Sequence, residues 1–281
     1  MKEIRFSVNS WIFGDTDIET IAKCVKEIGA DGIDVSGEPD KLDGTNVKKV
    51  LADQGLTAFC VNGHFVTEDH ALNHSDAKMR SAAIDYGKKC VDLASASGSP
   101  LALLVPSQIN KGSFFAGEQA DWDASVSAIA EVAAYARQQN IMIVLECVNK
   151  YEVMMVRSLD DGIHMAQDVG LDNVKVIGDT FHMQMEEKND IHNALRQAGG
   201  DWVRHLHIAD NTRDVPGKGC FNWREIMIAL DDIDYRGAVS FEYLPGLTLD
   251  DIFAGKLTKE DIVRDLGFSL RYLKDVTETV E

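Results

Sequence analysis

The feature that most constrains this chain is a rhythm. Eight short apolar runs recur along it: "IRFSVNS", "DGIDVS", "TAFCVNG", "LALLVP", "IMIVLE", "VKVIGD", "VRHLHIAD" and "AVSFEYL". Each is rich in β-branched or aromatic residues and ends in polar residues, glycine or proline. Longer stretches with helical spacing separate them, among them "DIETIAKCVKEIGA", "WDASVSAIAEVAAYARQQN" and "TKEDIVRDLGFSLRYLKDV". Strands that alternate with helices are joined by crossovers, so they run parallel. Near-continuous apolar strands suit a sheet covered on both faces. Eight such units in 281 residues predict an α/β fold, a (β/α)8 TIM barrel, as one domain over residues 1–281. An open, doubly wound sheet is the alternative. The first strand–helix turn lacks G-x-G-x-x-G, which removes its usual dinucleotide-binding form.

Local signals agree with this reading. Thr16 and Glu19 have the spacing of a capping box, with Gly29 near the end of that helix. Ser158 precedes "LDDGIHMA" and Gly170 follows it. Four helical stretches begin at Asn46, Asp76, Asp190 and Trp223.

Charge and cysteine usage narrow the function classes. A net charge of −18 repels phosphate backbones and anionic lipid, so neither nucleic acid nor membrane is an expected partner. No apolar run approaches the roughly 18 residues of a membrane span. The first residues, "MKEIRFSVNSWIF", do not form a secretion signal. Five scattered cysteines without C-x-x-C suit a reducing, cytoplasmic setting.

In such a barrel, polar residues at the carboxyl ends of strands build the active site. The fifth run ends at Glu146, the sixth at Asp179, the seventh carries His207 and the eighth reaches Glu242. Taken singly, each has a plain structural role. Asp179 can cap the helix that begins "TFHM", and a lone His207 is more often a hydrogen-bonded core histidine than a ligand. Four such groups ending four adjacent strands point instead to a metal site. Three carboxylates and one imidazole suit a hard cation: Mn²⁺, Mg²⁺ or Co²⁺. His205 lies one pleat deeper on the same face as His207.

A second group is read from the loops. Glu152, His182 and Arg213 can orient a substrate's hydroxyls or carbonyl, or simply lie in solvated loops. "PGKG" at residues 216–219 lacks the P-loop frame and is expected to form a tight turn over the site, with Lys218 near its mouth. Glu186 and Glu187 are expected on the surface. Glu38 either faces the pocket or begins a loop. Trp11, Phe13, Cys60, His64 and Phe65 follow early strands and either wall the pocket or join the core.

Four stretches, "LECVNKYE", "DTFHMQMEE", "HLHIADNTRDVPGKG" and "FEYLP", resemble the signatures of the ketose 3-epimerases. These are the D-tagatose and D-allulose (psicose) 3-epimerases, within the xylose-isomerase-like TIM barrels of sugar isomerases and epimerases. The resemblance implies that Glu146, Asp179, His207 and Glu242 bind a divalent metal, Mn²⁺ foremost, with Co²⁺ or Mg²⁺ as alternatives. It implies that Glu146 and Glu242 are the acid/base pair, inverting C3 of a free ketose through a cis-enediolate. Glu152, His182 and Arg213 would hold O1 and O2 of the sugar. A homodimer or homotetramer is implied as well. Gly178, the Tyr243-Leu244-Pro245 sequence and the loop "VPSQINKGSFFAG" depart from the pattern and leave the substrate open.

Neighbouring reactions on the same site are the alternatives: aldose–ketose isomerisation, inosose dehydration or elimination from a 3-keto-glycoside. All begin with a proton removed next to a polarised carbonyl. A phosphorylated sugar would call on Lys218 and Arg213. A phosphodiesterase like the endonuclease IV barrels needs more histidines and a basic surface. A non-enzymatic sugar-binding barrel would not need an acid/base pair.

Overall fold

The computed structural model describes residues 4–278, so the outermost residues of the expected 1–281 unit lie outside the described residues. Its strands are β1 (Arg5–Asn9), β2 (Gly32–Gly37), β3 (Thr57–Gly63), β4 (Leu101–Leu104), β5 (Met142–Glu146), β6 (Val174–Asp179), β7 (Val203–Ile208) and β8 (Ala238–Phe241). They form one closed barrel in sequence order. All pairings are parallel, and β8 closes on β1 with Arg5 opposite Ala238 and Val8 opposite Phe241. The strands match the eight apolar runs, with ends trimmed by a few residues.

The helices are α1 (Ile18–Ile28), α2 (Gly44–Gln54), α3 (Ala77–Ser97), α4 (Glu118–Gln138), α5 (Leu159–Val169), α6 (Thr180–Glu186), α7 (Ile191–Ala198), α8 (Trp223–Asp232), α9 (Leu249–Phe253) and α10 (Lys259–Glu278). Their apolar faces pack on the strands, burying residues such as Val25, Leu51, Val132 and Leu266. None of the described helices is long and apolar enough to cross a membrane. The short α6 is the helix that begins "TFHM", whereas α9 was not expected, because a periodic stripe needs more turns than it has.

Helix starts differ from expectation at α1, α2 and α4, with α2 beginning at Gly44 behind an Asp43 cap rather than at Asn46. At α1, Asp17 is the cap, accepting from the Thr20 amide at 2.9 Å. Thr16 instead donates to the Phe13 carbonyl at 2.7 Å, closing a 3₁₀ turn over Ser10–Phe13. Asp competes well with Thr for this position, and its carboxylate also suits the positive helix end. Helix α4 begins at Glu118 rather than Trp122. At α5, Ser158 and Asp161 form a reciprocal capping box, and Gly170 ends the helix in a left-handed conformation.

Two irregularities aim side chains into the barrel. The β2–β3 register shifts between Ile33 and Asp34, leaving Phe59 unpaired. The β6–β7 register shifts between Val176 and Ile177, leaving Arg204 unpaired. Bulges of this kind re-aim the residues that follow them. Asp34 and His205 come immediately after the two shifts.

Candidate active site

The site is built on the carboxyl ends of β5 to β8. Glu146 closes β5 and Asp179 closes β6, where Asp179 sits in register with His207 on β7. Glu242 follows β8 directly, and its amide donates to the Ile208 carbonyl at 3.0 Å, extending the ladder by one residue. One ligand atom from each of Glu146, Asp179, His207 and Glu242 lies within 4.8 Å of the others, and all four residues are buried. His207 Nδ1 is 3.3 Å from Glu146 Oε1 and 3.4 Å from Glu242 Oε2. That nitrogen is buried and makes no hydrogen bond.

The electrostatics of the cluster call for more positive charge. Burial, together with the Glu242 charge, pushes the carboxyls of Glu146 and Asp179 up. Burial acts on Glu242 too, but His207 and Arg213 beside it hold that carboxyl well below the usual range. His207 is raised despite its burial, by Glu242, Asp34 and Glu146. A divalent cation would supply the missing charge and occupy the orphaned Nδ1. The donor set, its convergence and that unpartnered nitrogen fit a hard cation.

Asp179 fills both roles considered for it. Its Oδ1 accepts from the amides of Phe181 at 2.7 Å and His182 at 3.2 Å, so it caps α6 while belonging to the cluster. The cap therefore orients the carboxylate.

A cavity of about 230 Å³ opens above the cluster. Glu146, Glu152, His182, His207, Arg213 and Glu242 line its polar side, and Val66, Ile109, Leu244, Leu249 and Phe253 its apolar side. Asn149 joins two of the expected substrate contacts. Its Nδ2 donates to Glu152 Oε1 at 2.8 Å and lies 2.7 Å from His182 Nδ1. Donation to Nδ1 leaves the His182 proton on Nε2. Burial and the Arg213 charge push the His182 imidazole down to about 3, so it is neutral near pH 7.

Arg213 places its guanidinium 3.8 Å from both Glu152 Oε1 and Glu242 Oε2, over the ring of Phe181. Its backbone has φ 60°, unusual for a residue with a side chain. The Arg213 amide donates to the Asp210 carbonyl at 2.8 Å, and the Arg213 carbonyl accepts from Leu244 at 2.7 Å. The buried Asp210 carboxylate organises this loop, accepting from the amides of Asn211, Gly217 and Phe221 and from the Trp223 indole.

"PGKG" does form a turn, with the Lys218 amide donating to the Val215 carbonyl. Lys218 does not reach the cavity mouth: it pairs with Asp265 at 3.1 Å and Asp214 at 3.6 Å. The buried Asp265 and the half-buried Asp214 hold it away from the cavity. Glu186 and Glu187 are not free surface charges either. Glu186 accepts from the Lys150 amide and Glu187 from the Leu159 amide, each at 2.8 Å, pinning the loop before α5 to the end of α6. Glu38 begins a loop and pairs with Lys41 at 2.6 Å. Trp11 and His64 line the cavity, whereas Phe13, Cys60 and Phe65 belong to the core. The Trp11 indole donates to Glu242 Oε1 at 2.9 Å.

Sequence reasoning missed Asp34, inside β2. Its Oδ2 lies 2.6 Å from His205 Nε2 and 3.2 Å from His207 Nε2, and its Oδ1 accepts from Ser7 Oγ at 2.8 Å. A single acid in the middle of the apolar run "GIDVS" was the available signal. Asn110, with φ 63°, was also missed; it lines the cavity and its amide donates to the Glu152 carbonyl at 2.7 Å. Gly178 faces outward, where a side chain would meet Leu206 and Met183, so those neighbours fill its place.

Fold and site together define a TIM-barrel enzyme with a candidate cation centre at its carboxyl-terminal face. The chain matches the xylose isomerase-like TIM barrel family over residues 22–262. It is 31% identical over 234 residues to a D-psicose 3-epimerase of Agrobacterium fabrum, covering 80% of this chain and 77% of that protein. A D-psicose 3-epimerase of Ruminiclostridium cellulolyticum is 39% identical over 125 residues, which span 44% of this chain and 42% of that protein. The solved D-psicose 3-epimerase from Clostridium cellulolyticum H10 shares the fold, with a TM-score of 0.86 at 24% identity over 98% of this chain and 99% of that one. The chain belongs to the xylose isomerase-like TIM barrel family, and its relatives mark it as an enzyme of the isomerase and epimerase kind.

Proposed function

We propose that this protein is a metal-dependent ketose 3-epimerase acting on a free sugar. One observation carries the reading: Glu146 and Glu242 approach the same nitrogen of His207, at 3.3 and 3.4 Å, under a cavity that also holds Glu152, His182 and Arg213. Inversion of a carbon next to a carbonyl needs a proton carrier on each face. Two carboxylates brought together from different strands meet that need.

Glu146, Asp179, His207 and Glu242 would hold the cation, Mn²⁺ foremost, with Co²⁺ or Mg²⁺ able to replace it. When bound, it acts as a Lewis acid toward the substrate carbonyl and steadies negative charge on its oxygens. One glutamate takes the C3 proton, and the other returns a proton to the opposite face of the enediolate. The Trp11 indole orients Glu242 for this transfer. Arg213, Glu152 and the neutral His182 hold O1 and O2, with Asn149 fixing the latter two side chains. Among the described residues lining the cavity, Arg213 is the one lysine or arginine, and it faces two carboxylates. This supports a sugar without phosphate. The apolar wall would pack against the distal carbons. A single domain, a homodimer or homotetramer, and a cytoplasmic setting complete the proposal; the free cysteines suit the last.

Proton exchange in D₂O tests it. The Mn²⁺-loaded protein is incubated with D-fructose, D-allulose, D-tagatose and L-ribulose, and the sugars are read by NMR. Deuterium at C3 with a new C3 epimer is the expected result. Deuterium at C1 with an aldose product would make the enzyme an isomerase. No exchange with any free ketose would overturn the epimerase reading and favour inososes or 3-keto-glycosides.

A further inference from the structure

Beneath the candidate metal centre lies a second layer whose atoms are almost completely buried. His207 presents two nitrogens to two environments. Nδ1 faces Glu146 and Glu242, while Nε2 points down the barrel axis at three groups: Asp34 Oδ2 at 3.2 Å, and the amide nitrogens Nδ2 of Asn9 and Asn62 at 3.3 Å each, Asn62 Nδ2 also donating to Asn9 Oδ1 at 2.7 Å so that the two amides turn as a pair. A neutral imidazole carries one proton. The nitrogen that binds a cation must be bare, so the other must hold the proton and needs an acceptor.

Of the three groups around Nε2, an ionised Asp34 is the one that can only accept, whereas an amide can turn either end to the ring. We propose that Asp34 is a positioning residue for the candidate metal centre, accepting the His207 Nε2 proton so that the lone pair of Nδ1 faces the cation. This inference rests on the reading that Glu146, Asp179, His207 and Glu242 hold a cation. Asp34 is itself braced. His205 Nε2 lies 2.6 Å from the same oxygen, and Ser7 donates to the other at 2.8 Å. The bulges at Phe59 and Arg204 set Asp34 and His205 into register across the barrel. The two histidines of "HLHI" thus divide their work: the upper one meets the cation and the lower one holds the carboxylate that steers it. Carboxylate support of a ligating histidine ordinarily contributes about 10- to 100-fold in metal affinity.

The test is Mn²⁺ binding by calorimetry to the full-length wild type and to Asp34→Asn and His205→Gln, each first freed of metal. Thermal unfolding of the metal-free proteins provides a control. Wild type is expected to bind one Mn²⁺ per chain. Asp34→Asn should bind about 10- to 100-fold more weakly. His205→Gln, which keeps a side-chain N–H donor, should retain most of the affinity. A folded Asp34→Asn protein with wild-type affinity overturns the positioning role and leaves the functional reading standing. Wild type that binds no divalent cation overturns both. Two ions per chain would assign Asp34 and His205 to a second cation and also overturn it. Should Asp34→Asn fail to fold, ¹⁵N-histidine NMR of Zn²⁺-loaded wild type decides: a proton on His207 Nε2 is expected, and a proton on Nδ1 refutes the proposal.

Discussion

Glu146 and Glu242 are the pair on which the proposed chemistry turns. Glu146→Gln and Glu242→Gln each remove a proton carrier, so kcat at saturating Mn²⁺ should fall by about 10²- to 10⁴-fold while circular dichroism stays native. Near-normal turnover in either variant would end the two-base mechanism. His182 gives a pH prediction. Folded His182 titrates at about 3, whereas an unfolded histidine takes its proton near 6.5. The unfolded state therefore binds more protons as pH falls below about 6.5. The stability contributed by this neutral histidine is full above that pH and is lost toward pH 3, at about 1.4 kcal/mol per pH unit. Chemical denaturation between pH 7 and 4 should show a shallower acid slope in His182→Gln; parallel slopes would refute the buried neutral imidazole. Glu146, Asp179, His207 and Glu242 were legible in the sequence because Glu146 and Asp179 end strands, Glu242 directly follows one and His207 is the last but one residue of another. Asp34 and Asn149 were not, because their meaning lies in contacts with His205 and His182, 171 and 33 residues away.

Elements explain how such side chains are held in place. The alternation of apolar runs and helical stretches made the barrel legible, since each unit repeats one pattern. The two β-bulges left no such trace: a single unpaired residue changes register without changing hydrophobicity. Glycines mark the places where elements approach most closely. At Gly32 an added methyl would drive into the Thr57 carbonyl, beside the shift that aims Asp34. Gly32→Ala should destabilise by at least the roughly 1–3 kcal/mol of an overpacked core, seen as a lower unfolding midpoint in urea. An unchanged midpoint would mean that β2 and β3 are not so tightly apposed. In the β7–α8 loop, a methyl on Gly219 would meet the Asp210 carboxylate, the hub that holds the strained Arg213. Gly219→Ala should lower kcat/KM about tenfold or more by displacing Arg213, with Mn²⁺ affinity unchanged because Arg213 is not a ligand. A matching loss of Mn²⁺ affinity would instead tie the loop to the metal centre.

The whole molecule couples these parts through charge. A chain with net charge −18 resists compaction by self-repulsion, and part of that repulsion is gathered at the barrel's carboxyl end, where three buried carboxylates converge. The fold is what brings Glu146, Asp179 and Glu242 together, since Glu242 lies 96 positions after Glu146 (242 − 146) and an unfolded chain would have to close that loop to share one cation. An ion bound there favours the folded state over the unfolded one. At a free Mn²⁺ concentration one hundred times its dissociation constant, the stabilisation is about 2.7 kcal/mol. For a barrel of this size that corresponds to a rise of roughly 5 °C in melting temperature. Chelation should reverse the shift completely, and added salt should weaken Mn²⁺ binding by screening the acidic field. Thermal scans with Mn²⁺, with chelator and across ionic strength check all three. Identical melting curves with Mn²⁺ and with chelator would mean that the four strand ends do not close around a cation, and the barrel's convergence of acids would then need another explanation.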